Sequence, residues 1–183
     1  VEFGAGTGAL ARGLLAALDG RGTPAESYGI VELSADLRER QRAALGDRRV
    51  HWLDAPPRGF AGVIVANEVL DVMPVRLFAR EQAALLERGV ALRDGRLAFA
   101  GRPADASLAA ALAGIEADVG ALPDGYGSEV GLVARGWMRS AGEWLARGAL
   151  LAIDYGFPRR EYYHPQRLMG TIMCHYRHRA HAD

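Results

Sequence analysis

The sequence contains no lysine: all 22 of its basic residues are arginine, and 22 acidic residues match them, so the formal charge is zero. No long-range field of one sign is available to draw in nucleic acid or an anionic membrane. The arginine-only usage, together with abundant alanine and glycine, reads as genomic bias before chemistry. Cysteine is nearly absent. Cys174 stands alone, which forbids an internal disulfide and fits a reducing compartment such as a cytoplasm or organelle matrix. No apolar run reaches the eighteen or so residues of a membrane-spanning helix, and neither internal repeats nor low-complexity linkers occur. Half of the 183 residues are hydrophobic and 24% are charged, which excludes disordered, collagen-like and membrane-bundle classes. The length suits one domain, or one domain carrying an insertion.

The hydrophobic pattern alternates between strand and helix over the first third of the chain. Val1-Glu2-Phe3 reads as the end of a strand, and Leu10, Leu14, Leu15 and Leu18 recur at helical spacing until Gly20-Arg21-Gly22-Thr23-Pro24 stops them. Tyr28–Glu32 is a second strand. Ser34 then caps a helix whose Leu37, Gln41 and Leu45 share one side, and Val50–Asp54, Gly62–Ala66 and Ala149–Asp154 are further strands. Continuous apolar strands separated by helices predict a doubly wound, Rossmann-like parallel sheet covered on both faces.

About eighty residues separate the fourth and fifth strands, far more than the dozen or so of an ordinary crossover. An inserted hairpin and helical subdomain is therefore predicted at about 73–147, with the core at 1–72 and 148–183. Val75–Arg80 and Leu85–Ala100 look strand-like, with Asp94-Gly95 as a two-residue turn. Leu108, Leu112 and Ile115 suggest a helix, and Val133, Trp137, Ala141, Trp144 and Leu145 line one face of another. Because the first strand runs straight into a glycine turn and no element closes the other end, natural parts of the protein are expected to precede and follow these residues.

Glu2-Phe3-Gly4-Ala5-Gly6-Thr7-Gly8 sits at a strand-to-helix junction. Glycines there let the backbone turn tightly and approach a ligand, and the next helix presents unpaired N–H groups. Gly4, Gly6 and Ala9 also satisfy the dinucleotide fingerprint, and glycine turns without ligands exist. Glu2 disfavours a pyrophosphate and suits a ligand bearing an amino group and a sulfonium. Glu32, about two dozen residues past the glycines, is spaced to accept both hydroxyls of a ribose, a contact common to NAD and S-adenosylmethionine. Asp54, ending the third strand, can accept an adenine amino proton or simply cap its loop.

With these residues the chain resembles the class I S-adenosylmethionine-dependent methyltransferases. Within them it resembles the MidA family, the complex I assembly-factor methyltransferases of mitochondria and their bacterial relatives. The closer resemblance is carried by Val31-Glu32-Leu33-Ser34, by Ala66-Asn67-Glu68-Val69-Leu70-Asp71-Val72-Met73-Pro74-Val75 and by Ile153-Asp154-Tyr155-Gly156. It continues through Glu161–Arg167, Gly170-Thr171 and His175–Arg179. The resemblance implies a methyltransferase fold with a family-specific insertion, S-adenosylmethionine as cofactor, and methylation of arginine in a protein substrate, a complex I subunit in the mitochondrial members. The compartment it implies is a bacterial cytoplasm or a mitochondrial matrix. An NAD-dependent oxidoreductase and a non-catalytic assembly module that keeps the fold are the competing readings.

Asn67-Glu68-Val69-Leu70-Asp71 follows the fourth strand, where a doubly wound sheet directs side chains at whatever lies over its carboxyl edge. Asn67 is expected beside the cofactor. If Val69–Pro74 begins as a helical turn, Glu68 and Asp71 project from one side and together grip a guanidinium; the competing reading is a helix start whose acidic residues offset the dipole. Asp154 and Tyr155 are expected to border the same pocket. His175, His178 and His181, at three-residue steps, could share a helix face, yet nothing else supplies a metal pattern and no metal is expected. Arginines and tyrosines interleave from Tyr155 to Arg179 as on RNA surfaces. The family resemblance covers these residues, so a substrate-side loop closing over the methyl donor is the preferred reading.

Overall fold

The computed structural model describes residues 1–46, 48–177 and 179–181. In chain order the elements are β1 (Glu2–Phe3), α1 (Ala9–Gly20), β2 (Tyr28–Val31), α2 (Ala35–Ala44), β3 (Val50–Leu53), β4 (Phe60–Asn67), β5 (Arg76–Glu81), β6 (Ala84–Arg93), β7 (Arg96–Pro103), α3 (Ala106–Val119), β8 (Gly127–Val130), α4 (Leu132–Trp144), β9 (Leu145–Ile153), α5 (Arg159–Tyr162), β10 (Cys174–Tyr176) and β11 (Arg179–His181). They fall into two units, Val1–Met73 with Ala134–Tyr155, and Pro74–Val133 with Gly156–Asp183.

The first unit holds a parallel sheet in the order β3-β2-β1-β4-β9. Strands step outward from β1 to β3 on one side and then from β4 to β9 on the other. The winding therefore reverses between β1 and β4, the point at which such sheets leave a crevice outside their carboxyl ends. On one face Ala11 and Leu15 of α1 and Leu45 just after α2 pack with Tyr28, Ile30 and Val50. On the other, Ala141 of α4 joins Phe3, Ile64 and Ala66. Phe3 stacks on Trp144 at 5.3 Å between ring centres and meets Trp137 edge-on at 5.0 Å, so the tryptophans of α4 clamp the central strand.

Helix ends follow the chemistry of their sequences. Gly22 adopts positive φ (71°) after α1, and the N–H groups of Gly22 and Thr23 return to Asp19 O and Leu18 O, closing the helix in a Schellman motif. The Ser34 hydroxyl accepts the Leu37 N–H at 3.3 Å to start α2, and Asp105 accepts the Leu108 N–H at 2.8 Å to start α3.

The second unit is an antiparallel sheet in the order β7-β6-β5-β8 with α3 beside it. Asp94 and Gly95 both take positive φ (51° and 74°), as the predicted two-residue hairpin requires. Phe78, Leu108, Leu112, Ile115, Tyr126, Val130 and Tyr163 form its core. The sequence pattern predicts no strand at β8, because Gly127-Ser128-Glu129-Val130 sets two polar residues side by side and shows neither an apolar run nor an alternation, yet all four are buried. Residues 156–183, placed with the parallel sheet by the sequence pattern, group with this second unit: Tyr163 enters its core and Gly127 donates its N–H to Leu168 O at 2.9 Å. The helix considered for the C-terminal histidines is not formed. β10 and β11 pair as an antiparallel hairpin in which His175 faces Ala180, and His178 lies outside the described residues. No described helix is long and apolar enough to cross a membrane.

Candidate functional site

The glycine loop leaves β1 at the reversal point of the sheet. Gly4, Gly6 and Gly8 have φ of 61°, 54° and 79°, a region that side-chain-bearing residues visit at a cost. A Cβ on Gly8 would lie 2.9 Å from Leu45 Cδ1, so that position is closed sterically as well as conformationally. At Gly6, apart from its two chain neighbours, no atom of the described residues lies within 4 Å of where a Cβ would be, leaving that stretch of backbone open to an approaching ligand.

Glu32 follows β2 and is partly buried. Its Oε1 accepts the Ser34 N–H at 3.0 Å and its Oε2 accepts from Gln41 Nε2 at 3.1 Å. A carboxylate oxygen can accept about two hydrogen bonds, so each oxygen, used once inside the protein, retains one acceptor direction. Two acceptors at carboxylate spacing suit a vicinal diol. Leu33 beside it is 96% exposed, an apolar surface next to a polar anchor. Neither Gln41 nor Leu33 was singled out as a site residue from sequence. Gln41 could have been, as the one polar group on the apolar side of α2 between Leu37 and Leu45.

Glu2 shares a sheet face with Ile30 and Tyr28. It is buried, its Oε2 accepts the Tyr28 hydroxyl at 2.8 Å, and burial raises its carboxyl above the usual range. Asp54 lies just past β3 with an exposed side chain paired to Arg38 at 2.9 Å, and the same guanidinium donates to Leu53 O. This pair is solvent-screened and contributes little to stability.

At the far side of the reversal point, Asn67 is the last residue of β4 and sits beside Ile153 of β9. Glu68 follows with φ of 51°, a left-handed conformation unusual outside glycine, and its N–H donates to Ile153 O at 2.8 Å. The helical turn predicted from Val69 does not form. Asp154 Oδ2 takes the N–H groups of Leu70 (2.8 Å) and Asp71 (3.3 Å), and only a turn between Leu70 and Met73 remains. A carboxylate from another strand thus substitutes for the helical hydrogen bonds. Asp71 is exposed, yet its carboxyl lies above its usual range through partial desolvation, then repulsion from Asp154 and Glu68. Glu68, Asp71 and Asp154 therefore form one acidic group.

Among the described residues no cluster is placed to hold a metal ion. Two surface concavities, of about 680 Å3 near Pro24 and His51 and about 460 Å3 near Asp118 and Arg160, lie away from the glycine loop. The loop is distinguished by its chemistry and its place in the sheet.

A doubly wound sheet with a glycine loop at its reversal point and a carboxylate after the neighbouring strand has the architecture of nucleoside-binding α/β proteins. Within that class, residues 1–183 match the family described as "Putative S-adenosyl-L-methionine-dependent methyltransferase", and the chain belongs to this family. It is similar to a crystal structure from Burkholderia thailandensis, described as a "likely methyl transferase" bound to S-adenosyl-homocysteine. The TM-score is 0.89 at 53% identity, covering 100% of this chain and 48% of that one. A native crystal structure of an uncharacterized protein of the same superfamily from the same bacterium gives a TM-score of 0.90 at 53% identity, covering 100% and 50%. The chain thus spans about half the length of these proteins. No curated protein matches it.

Proposed function

We propose that this chain binds S-adenosylmethionine and serves methyl transfer to an arginine side chain of a protein substrate. The observation that carries the reading is the juxtaposition, through Gln41, of the open Gly6 backbone after β1 with the doubly anchored Glu32 after β2, beside the β1/β4 reversal point. S-adenosyl-homocysteine bound in a relative of 53% identity supports it. In this reading Gly4, Gly6 and Gly8 let the backbone approach the donor, Glu32 takes the ribose diol, and Asn67 and Asp54 border the nucleoside. Glu2 adds negative charge beneath the loop.

The acceptor side rests on Glu68 and Asp71. A sulfonium methyl is already activated, so the protein must hold nucleophile, carbon and sulfur in line and keep water out. An arginine guanidinium is protonated and delocalised; to attack, one nitrogen must localise its lone pair while the others keep the charge. Paired carboxylates favour that redistribution. The acidic group formed by Glu68, Asp71 and Asp154 attracts a guanidinium more than a neutral acceptor, and the MidA-type resemblance points the same way, toward a subunit of the complex I type.

Calorimetry with S-adenosylmethionine, S-adenosyl-homocysteine and NAD tests the donor assignment: heat with the first two and none with NAD is expected, and heat with NAD alone overturns it. For the acceptor, labelled donor and an arginine-rich peptide pool are incubated with wild type and Glu68→Ala. Label on arginine that is lost in the variant, with donor binding retained, is the expected outcome. Full turnover by Glu68→Ala removes the acceptor assignment.

A further inference from the structure

Gln41 is completely buried, and both the donor and acceptor ends of its amide are hydrogen-bonded. Both Nε2 hydrogens are spent, one on Gly6 O at 2.9 Å and one on Glu32 Oε2 at 3.1 Å, while Oε1 accepts the indole N–H of Trp52 at 2.9 Å. One side chain on α2 thereby ties together the glycine loop, the residue after β2, and β3. The orientation of the amide admits no alternative. A flipped amide would set its oxygen against a carbonyl and a carboxylate, and its hydrogens against an N–H donor.

We infer that Gln41 is a positioning residue for the donor site, fixing both the Glu32 carboxylate and the Gly6–Thr7 peptide before any ligand arrives; this rests on the reading of the site as an S-adenosyl site. The geometry gives it two effects. At Glu32, a neutral donor on Oε2 opposes the Ser34 N–H on Oε1, so the carboxylate is held from both ends and cannot rotate its remaining acceptor directions away from a diol. At the loop, the Gly6 carbonyl is drawn toward α2. Peptide bonds here are trans and planar, so the Thr7 N–H of the same peptide is directed the opposite way, away from Gln41. The glycine loop can then offer that N–H to an acceptor on a ligand. Without Gln41 this peptide is free to rotate, because glycine at position 6 imposes no barrier.

The requirement is specific to glutamine. Glutamate of the same shape would place a carboxylate against the Glu32 carboxylate and the Gly6 carbonyl, and such a pair shares a proton at a pH above the ordinary carboxylate range. Trp52 offers no titrating group, and the Arg42 guanidinium lies over its ring at 5.3 Å. In a Gln41→Glu variant the bridge should therefore fail when both acids are charged, and only the bond between the two acids should return when one takes a proton, because a carboxylic acid has a single hydrogen to donate where the amide had two.

The test is calorimetry of S-adenosyl-homocysteine binding to the full chain, in wild type, Gln41→Glu and Trp52→Phe, at pH 8 and pH 6, with circular dichroism confirming the fold. Wild-type affinity should change by less than about twofold between the two pH values. Gln41→Glu should bind about tenfold more weakly at pH 8 and recover about threefold of that loss at pH 6. Trp52→Phe removes one anchor of the amide and should cost about threefold at both. Equal affinity of folded Gln41→Glu and wild type at pH 8, or a loss independent of pH, overturns the proposal. If Gln41→Glu does not fold, unchanged affinity in Trp52→Phe overturns it alone. Wild type that binds NAD or nothing defeats the functional reading itself, and the positioning role falls with it; wild type that binds while the variants match it defeats the positioning role only.

Discussion

The carboxylate of Asp154 accepts the backbone N–H of Leu70 at 2.8 Å, joining residues 84 positions apart in sequence. One oxygen also takes the Asp71 N–H and the other the N–H of Tyr155. The segment carrying both proposed acceptor carboxylates thus depends on the end of β9 for its shape. Glu68 holds a left-handed conformation within that segment, at a cost of about 1 kcal/mol or more that these bonds offset.

From that anchor follows a separation of binding from turnover. Asp154→Ala removes the acceptor of three N–H groups without touching the glycine loop or Glu32. Methyl transfer should fall about tenfold or more, since a displacement of about an ångström at the reacting groups suffices, while S-adenosyl-homocysteine affinity stays within about threefold. Titration calorimetry and single-turnover transfer, measured on the same preparation, check it. Parallel loss of both would place Asp154 in the donor site.

Glu32→Ala should act in the reverse sense. Two charge-assisted hydrogen bonds to a diol disappear, and each is worth about 1.5–3 kcal/mol at most. Donor affinity should fall by about 30-fold or more with the fold intact. Glu32→Gln keeps one acceptor but sets an amide hydrogen against the Ser34 N–H or the Gln41 amide, so it should lose nearly as much. Unchanged affinity in either variant removes the ribose assignment.

Asp71 makes a prediction about stability and pH. Its folded carboxyl lies above the unfolded value, so the folded state holds that proton more tightly. The contribution is fully present below the unfolded value and is lost as pH rises through the folded one, because the new charge then faces Asp154 and Glu68. Asp71→Asn should therefore raise the melting temperature at pH 7 by about 2 °C, the scale of an exposed charge interaction. At pH 3 it should leave it unchanged. Added salt should shrink the difference at pH 7. Thermal melts at both pH values decide, and a variant less stable at pH 7 contradicts the repulsion.

What was legible in the sequence was local. Asp94-Gly95 announced its hairpin because only a few dipeptides tolerate two positive φ values in succession, and Gly4-Ala5-Gly6-Thr7-Gly8 and Ser34 announced their turn and cap for similar reasons. Spacing singled out Glu32, but not the Ser34 and Gln41 bonds that hold its carboxylate. The contacts that shape the site were not legible, because they join distant segments. Nothing near Val69 says that the helical turn will lose its N–H groups to Asp154, and Gly127-Ser128-Glu129-Val130 of β8 is neither an apolar run nor an alternation. Gln41 is the intermediate case. A polar residue on an apolar helix face signals a buried amide in need of partners, but which partners only the tertiary fold decides.

Glu129 of β8 is 2% exposed, and its Oε1 accepts the Thr171 N–H at 2.9 Å together with the hydroxyls of Thr171 and Tyr162. Burial first, and then this bond to Glu129, raise the Tyr162 hydroxyl above its ordinary range, so it remains a donor throughout neutral pH. The Tyr163 hydroxyl, by contrast, reaches the backbone carbonyl of Glu129 and does not depend on its side chain. Glu129→Ala strands the Thr171 N–H and the Tyr162 hydroxyl, while the Thr171 hydroxyl can still donate to the Tyr162 oxygen at 3.0 Å and the Tyr163 contact stays in place, and should cost about 2–5 kcal/mol and lower the melting temperature by about 10 °C. Glu129→Gln keeps a carbonyl acceptor in the same position and should cost about 1 kcal/mol. Denaturant unfolding of the two variants separates the cases. A Gln variant as damaged as the Ala variant would show that the negative charge itself, rather than the acceptor, holds Gly170-Thr171 against the sheet.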